Sequence, residues 1–214
     1  MVLSAVNDNW QRVELMYSVV YEYFKETVDS DFRNRIINKG NIFPYSVSKS
    51  QSMQKEFSLV GMLMAWAVVA IESLINHALA EKIDDRNLAV KAINNPNKVL
   101  KELQLNFNPE SKLGTKIMIL DSEYDSEIVS LSEMISSMRN IIVHDKPYDY
   151  FEKEGDVETK DYKTSDEVDG NIYRYEDLKD FFINCDTIKK YIEKKVYMET
   201  IEIRDFSSLL TSKS

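Results

Sequence analysis

In 214 residues the chain has one cysteine, two histidines, five glycines and four prolines, and each scarcity closes a class of function. Cys185 stands alone, so no internal disulfide can form and no thiolate metal cage can be built. His77 and His144 are too few for a His-Asp metal doublet with its further ligands, and no Glu-x-x-His is present for a di-iron carboxylate bundle. Neither a phosphate-cradling glycine loop nor a Gly-x-Ser-x-Gly elbow occurs. No metal and no cofactor are expected. Residues 1–9 carry neither a basic leader nor an apolar run, which predicts a cytoplasmic protein without a signal peptide.

What remains is an ordinary soluble balance of 43% hydrophobic and 29% charged residues, in a length suited to one domain. Few glycines and prolines predict long helices and few tight turns. The net charge of −9 argues against broad duplex binding, which depends on neutralising phosphates with Lys and Arg. It leaves room for a small site with a few local cations.

The periodicity predicts an all-α fold. Trp10, Val13, Tyr17, Val20 and Phe24 recur at helical steps and predict a first helix over about Asn9–Val28. A connection carrying Gly40 and Pro44 follows. Residues 1–50 are thus expected as a helical extension packed on the core, 51–206 as the main domain, and 207–214 as a frayed tail.

A second helix is predicted over Gln51–Ile83, with no charged or polar side chain from Leu59 to Ile71. That run is too short to cross a bilayer, so no membrane partner is expected and burial on several sides is. Gly61 and Ala65, four residues apart, would let another backbone come close, from the core or from a second subunit. Residues 84–108 predict one or two short helices broken near Pro96, then a linker punctuated by Pro109 and Gly114. The last helix is predicted from about Glu176, with Leu178, Phe181, Cys185, Ile188 and Ile192 on one face.

Between these lies a helix predicted over Ser126–Val143, with Asp121, Ser122 and Asp125 as candidate caps. Its seam is Ile128, Leu131, Ile135, Met138 and Ile142. It ends in Arg139-Asn140-Ile141-Ile142-Val143-His144. An arginine offers a planar fork of donors to a phosphate, and a histidine moves protons near neutral pH. Together they form a minimal kit for cutting RNA without a metal. After them comes a long, acidic, tyrosine-rich loop over about residues 145–173. It is either a loop with a role in function or partner binding or an exposed, solvated insertion.

This spacing resembles the Arg-x(4–6)-His pattern of the HEPN superfamily, in which the residue after the arginine is commonly Asn, Asp or His. The resemblance covers roughly residues 51–196 and is carried by Arg139, Asn140 and His144. It implies a four- to five-helix bundle, usually a homodimer whose two motifs face one cleft. It also implies a metal-independent endoribonuclease, of the kind found as toxins and effectors in bacterial and antiviral defence, sometimes held by an antitoxin or regulatory protein. In that reading His144 is the general acid or base, Arg139 binds the phosphate, and Asn140 orients one of them. In one toxin branch of the family, the tyrosine two positions after the histidine accepts AMP from a partner enzyme. Lys146 stands there instead and is expected to add a phosphate contact. Glu72 and Asn76 share a face of the second helix; they either approach the motif helix from behind or, as is more common for such residues, are satisfied polar groups at the end of a buried helix.

Two readings compete with it. Arg139 could form an ordinary ion pair with Glu133 or Asp145 while His144 caps the helix. Alternatively, the chain is a non-catalytic, dimeric helical module for protein interaction or RNA binding.

Overall fold

The computed structural model describes residues 3–27, 50–103, 109, 111–143, 177–197 and 203–211. Among them the fold is all-α, without a strand. The helices are α1 (Leu3–Thr27), α2 (Ser50–Lys82), α3 (Arg86–Asn94), α4 (Pro96–Glu102), α5 (Lys112–Leu120), α6 (Ser126–Val143), α7 (Asp177–Ile192) and α8 (Ser207–Thr211). A π-helical turn, Glu193–Tyr197, extends α7.

α2 is the axis of the bundle. By length and composition Ser58–Lys82 could cross a membrane, but 56% of its apolar window is buried within the fold. α1, α3, α5, α6 and α7 all pack on it. Val60, Leu63, Met64, Ala67, Ile71, Leu74, Ile75 and Leu79 are solvent-free in one continuous core. α1 joins that core through Val6, Trp10, Val13, Tyr17 and Val20. Its periodic stripe is therefore buried from Val6 to Val20, starting about one turn earlier than the sequence suggests.

The break at Pro96 has a local cause. The Asp85 carboxylate accepts the Asn87 and Leu88 amides at 2.8 and 3.3 Å and opens α3, while Pro96 opens α4 with the ring that needs no amide partner.

Two expectations are corrected. The linker expected around Gly114 contains a helix, α5, in which Leu113 through Met118 are all buried. Gly114 does not punctuate there; it lets α5 approach α6. A Cβ on it would lie 3.2 Å from Pro109 Cβ and 3.3 Å from Glu133 Cγ. The tail expected to fray also begins with a docked helix. Phe206 is solvent-free, Leu209 is buried, and residues 207–211 are helical. The reason is a cap supplied from afar: the buried Asp186 carboxylate accepts the Phe206 and Ser207 amides at 2.7 and 2.9 Å. Trp10 completes the clip by stacking on Phe206 with 4.4 Å between centroids and donating Nε1–H to the Arg204 carbonyl at 2.8 Å. The expected connection at 33–49 and the acidic loop at 145–173 lie outside the described residues.

Ionic staples fasten the far end of α7. Tyr191 and Lys195 donate to Asp121 Oδ2 at 2.7 and 2.9 Å, and Lys189 and Lys190 donate to Asp205 at 2.9 Å each. Burial pushes both carboxyls up, but the opposing hydroxyl and ammonium groups at Asp121 and the two ammonium groups at Asp205 outweigh it, so both sit below the ordinary value. Burial and the bond to Asp121 push the Tyr191 phenol up to about 12. For an acid depressed in the folded state, the added stability is present above its unfolded pKa and lost as pH falls through the folded one. Thermal stability is therefore expected to drop as pH falls below about 4. Asp121→Asn should flatten that drop while lowering stability at neutral pH. A drop in melting temperature equally steep in wild type and in Asp121→Asn would show that the staple does not carry it.

Candidate functional site

The motif helix forms where its local signals place it. The Asp125 carboxylate accepts the Glu127 amide at 2.9 Å, and the Asp125 carbonyl accepts the Val129 amide at 3.1 Å, which opens α6. Ile128, Val129 and Ile135 are buried in the core, and Leu131, Met138 and Ile142 pack against it. Arg139, at the margin of that seam, is half-buried, and Asn140 is exposed. Arg139 Nη1 stands 3.5 Å from Asn140 Oδ1, so the guanidinium and the amide share one patch at the end of α6. His144 and Lys146 lie outside the described residues.

The course of α6 limits how this patch can work. The helix is continuous through Val143, so no bend separates Arg139 from the residue preceding His144. Along a regular helix, positions 139 and 144 diverge by roughly 140° at about 100° per residue.

The outer face of α6 has a second property. Ser130, Met134, Ser137 and Asn140 are exposed on it, and none carries a charge. Glu133, the one charged residue between Glu127 and Arg139, turns against Gly114 of α5 instead. In a chain with 29% charged residues, three uncharged turns beside a half-buried arginine and an exposed asparagine form a surface of distinct character.

The chain matches no protein-family model, no curated protein and no solved structure.

The polar residues on α2 do not join the motif. Glu72 and Asn76 meet Lys116 of α5, whose ammonium donates to Glu72 Oε1 at 2.7 Å and to Asn76 Oδ1 at 2.8 Å. They are thus satisfied polar groups on a buried helix, the more common of the two outcomes the sequence offered. The Lys116 side chain is 3% exposed and that of Glu72 is 36% exposed, so a buried cation is held by a half-open carboxylate. Sequence reasoning missed this lysine; the one signal was a charge set directly against the apolar run Ile117–Leu120.

His77 is also remote from the motif. Gly61, which touches Ile142, precedes it by sixteen residues of unbroken helix, or about 24 Å at 1.5 Å each. Its Nδ1 lies 2.5 Å from the Tyr197 hydroxyl, and its Nε2 faces Glu81 at 3.7 Å. It ties α2 to the π-helical turn. Burial and the nearby Glu81 carboxylate push the Tyr197 phenol well up, which keeps it neutral in that bond.

Most of the lysines on α7 and its extension are also committed. Lys189, Lys190 and Lys195 are in ion pairs with Glu193, Asp205 and Asp121. They do not form a free basic surface for RNA. Among the described residues, no group of three or more His, Cys, Asp or Glu side chains is placed to hold a metal.

Proposed function

We propose that this protein is a HEPN-like, metal-independent endoribonuclease acting as a homodimer. One observation carries the reading: an arginine-asparagine pair presented at the end of a regular helix, on the approach to the histidine, next to an outer face without charge. Arg139 binds the scissile phosphate and stabilises the charge that develops on its oxygens. His144 takes the proton from the ribose 2′-hydroxyl as that oxygen attacks the adjacent phosphorus, or gives a proton to the leaving 5′-oxygen. The products are a 2′,3′-cyclic phosphate and a 5′-hydroxyl. Asn140 orients the phosphate or the histidine, and Lys146 adds a phosphate contact. A second copy resolves the divergence of 139 and 144, because the arginine of one chain can meet the histidine of the other. The net charge of −9 then acts as a filter, confining phosphate binding to this cleft. The biological role in this reading is that of a toxin or defence effector in the cytoplasm, with an antitoxin or regulator as its protein partner.

The test is cleavage of a mixed RNA pool in EDTA, with end-group analysis and the mass in solution measured together. Metal-free cleavage that leaves cyclic-phosphate ends, by a particle of two chains, is the expected result. Ser137→Arg should weaken self-association by about tenfold or more, since a charge must then be desolvated in the interface, and cleavage should fall with it at low protein concentration. Cleavage that requires added metal would sink the mechanism.

The same uncharged face favours a second reading, a non-catalytic helical interaction module. A folded protein that is dimeric but leaves RNA intact, and that binds a protein partner through α6, would establish it.

A further inference from the structure

α6 lies on α2 at a point where α2 has no side chain. A Cβ on Gly61 would stand 3.0 Å from Ile142 Cγ2 and 3.5 Å from Ile142 Cγ1. Real Cβ atoms seldom come so close, so any side chain at position 61 must displace something. Ile142 cannot yield by swinging away, because a β-branched residue in a helix is held to one χ1 well. The displacement therefore passes to α6 itself, as a shift of a few tenths of an ångström or a small roll. Ile142 follows Arg139 by three residues, which puts the two on neighbouring strips of one side of the helix, and precedes His144 by two. The contact thus sits in the turn that presents the motif.

We propose that Gly61 is a positioning residue for the ribonuclease site. The missing side chain sets the depth at which the 139–143 turn of α6 rests on α2, and so where Arg139 points. This rests on the ribonuclease reading for its effect on activity, whereas the packing effect does not. A glycine inside a helix is otherwise unfavourable relative to alanine, so without this contact Gly61→Ala would only stiffen α2.

The experiment compares wild type, Gly61→Ala, Ile142→Ala and the double variant. Two quantities are read: metal-free RNA cleavage across substrate concentrations, and hydrogen exchange of the amides of residues 139–143. In Gly61→Ala the rate at saturating RNA should fall about tenfold with KM within about twofold, because a displaced catalytic group lowers the rate more than the binding. Exchange at 139–143 should quicken. In the double variant the new methyl occupies space that Ile142 has vacated, and both quantities should return to within about threefold of wild type. A Gly61→Ala protein with wild-type rate and wild-type exchange overturns the proposal. If wild type does not cleave RNA, the ribonuclease reading fails, and exchange alone decides the packing: quickened in Gly61→Ala and restored in the double variant, or unchanged and overturned. If Gly61→Ala does not fold, Ile142→Ala carries the test. Slower cleavage with faster exchange at 139–143 supports the contact, and no change in either overturns it.

Discussion

His144→Ala is expected to slow metal-free RNA cleavage by about a hundredfold to a thousandfold, the usual loss when a positioned acid or base is removed. Arg139→Ala should cost a similar factor, because the developing phosphate charge loses its fork of donors. The two differ in how they can be partly restored. Arg139→Lys keeps the charge but not the planar pair of donors, so it should recover only part of the rate. His144→Lys offers no group that exchanges protons near neutral pH and should recover none. If the two copies divide the acid and base roles, wild type should show a bell-shaped pH dependence. Mixed dimers that carry Arg139→Ala in one chain and His144→Ala in the other add a further check. If each pair draws its arginine and histidine from opposite chains, such a mixed dimer keeps one intact pair and should cleave; if each pair lies within one chain, it keeps none. Cleavage that survives both single substitutions would remove these residues from the mechanism. Because Arg139 is half-buried beside packed surface, circular dichroism and melting temperature must accompany each rate. A variant that keeps its melting temperature and loses its rate places the effect in chemistry rather than in folding.

The second large effect concerns stability and has an unusual asymmetry. Glu72→Ala should destabilise the fold by about 3 kcal/mol, since it leaves an ammonium buried with a single amide partner. Lys116→Met should cost no more than about 1 kcal/mol, because the hydrocarbon stem is kept and the buried charge is gone. The abandoned carboxylate does not reverse this. Glu72 is 36% exposed and can be hydrated, whereas Lys116 at 3% cannot. Urea denaturation with an unchanged slope is the measurement, compared at the midpoint. Equal losses in the two variants would mean that the attraction between the groups, rather than the desolvation of one of them, dominates. Neither substitution touches the motif, so both proteins should keep the cleavage rate of wild type while folded.

These expectations draw on different layers of information. The all-α character, the start of α6 and the break at Pro96 were legible in the residues, because each is produced within a few positions of itself. Asp125 caps the amides just ahead of it, and the seam from Ile128 to Ile142 repeats at the helical period. The Arg139-Asn140 patch follows directly, as neighbours on one turn. α5 was illegible for the opposite reason. It is short, carries a glycine in its first turn and is buried over most of its length, so it has no broad polar face to announce a period. The helix at 207–211 was hidden because its cap, Asp186, stands some twenty residues away.

The sequence by itself therefore determined the long helices, that Arg139 and Asn140 lie side by side on one of them, and that an internal disulfide or a thiolate metal cage is out of reach. Only the tertiary structure decided which side chains meet: Lys116 with Glu72 and Asn76, Phe206 with Trp10, and Gly61 with Ile142. Helix formation is governed by neighbours three and four residues apart, which any reader of the chain can see. The meeting of residues 44, 81 or 196 positions apart is set by how ridges of whole helices settle against one another, and that information is spread over every packed residue of the core.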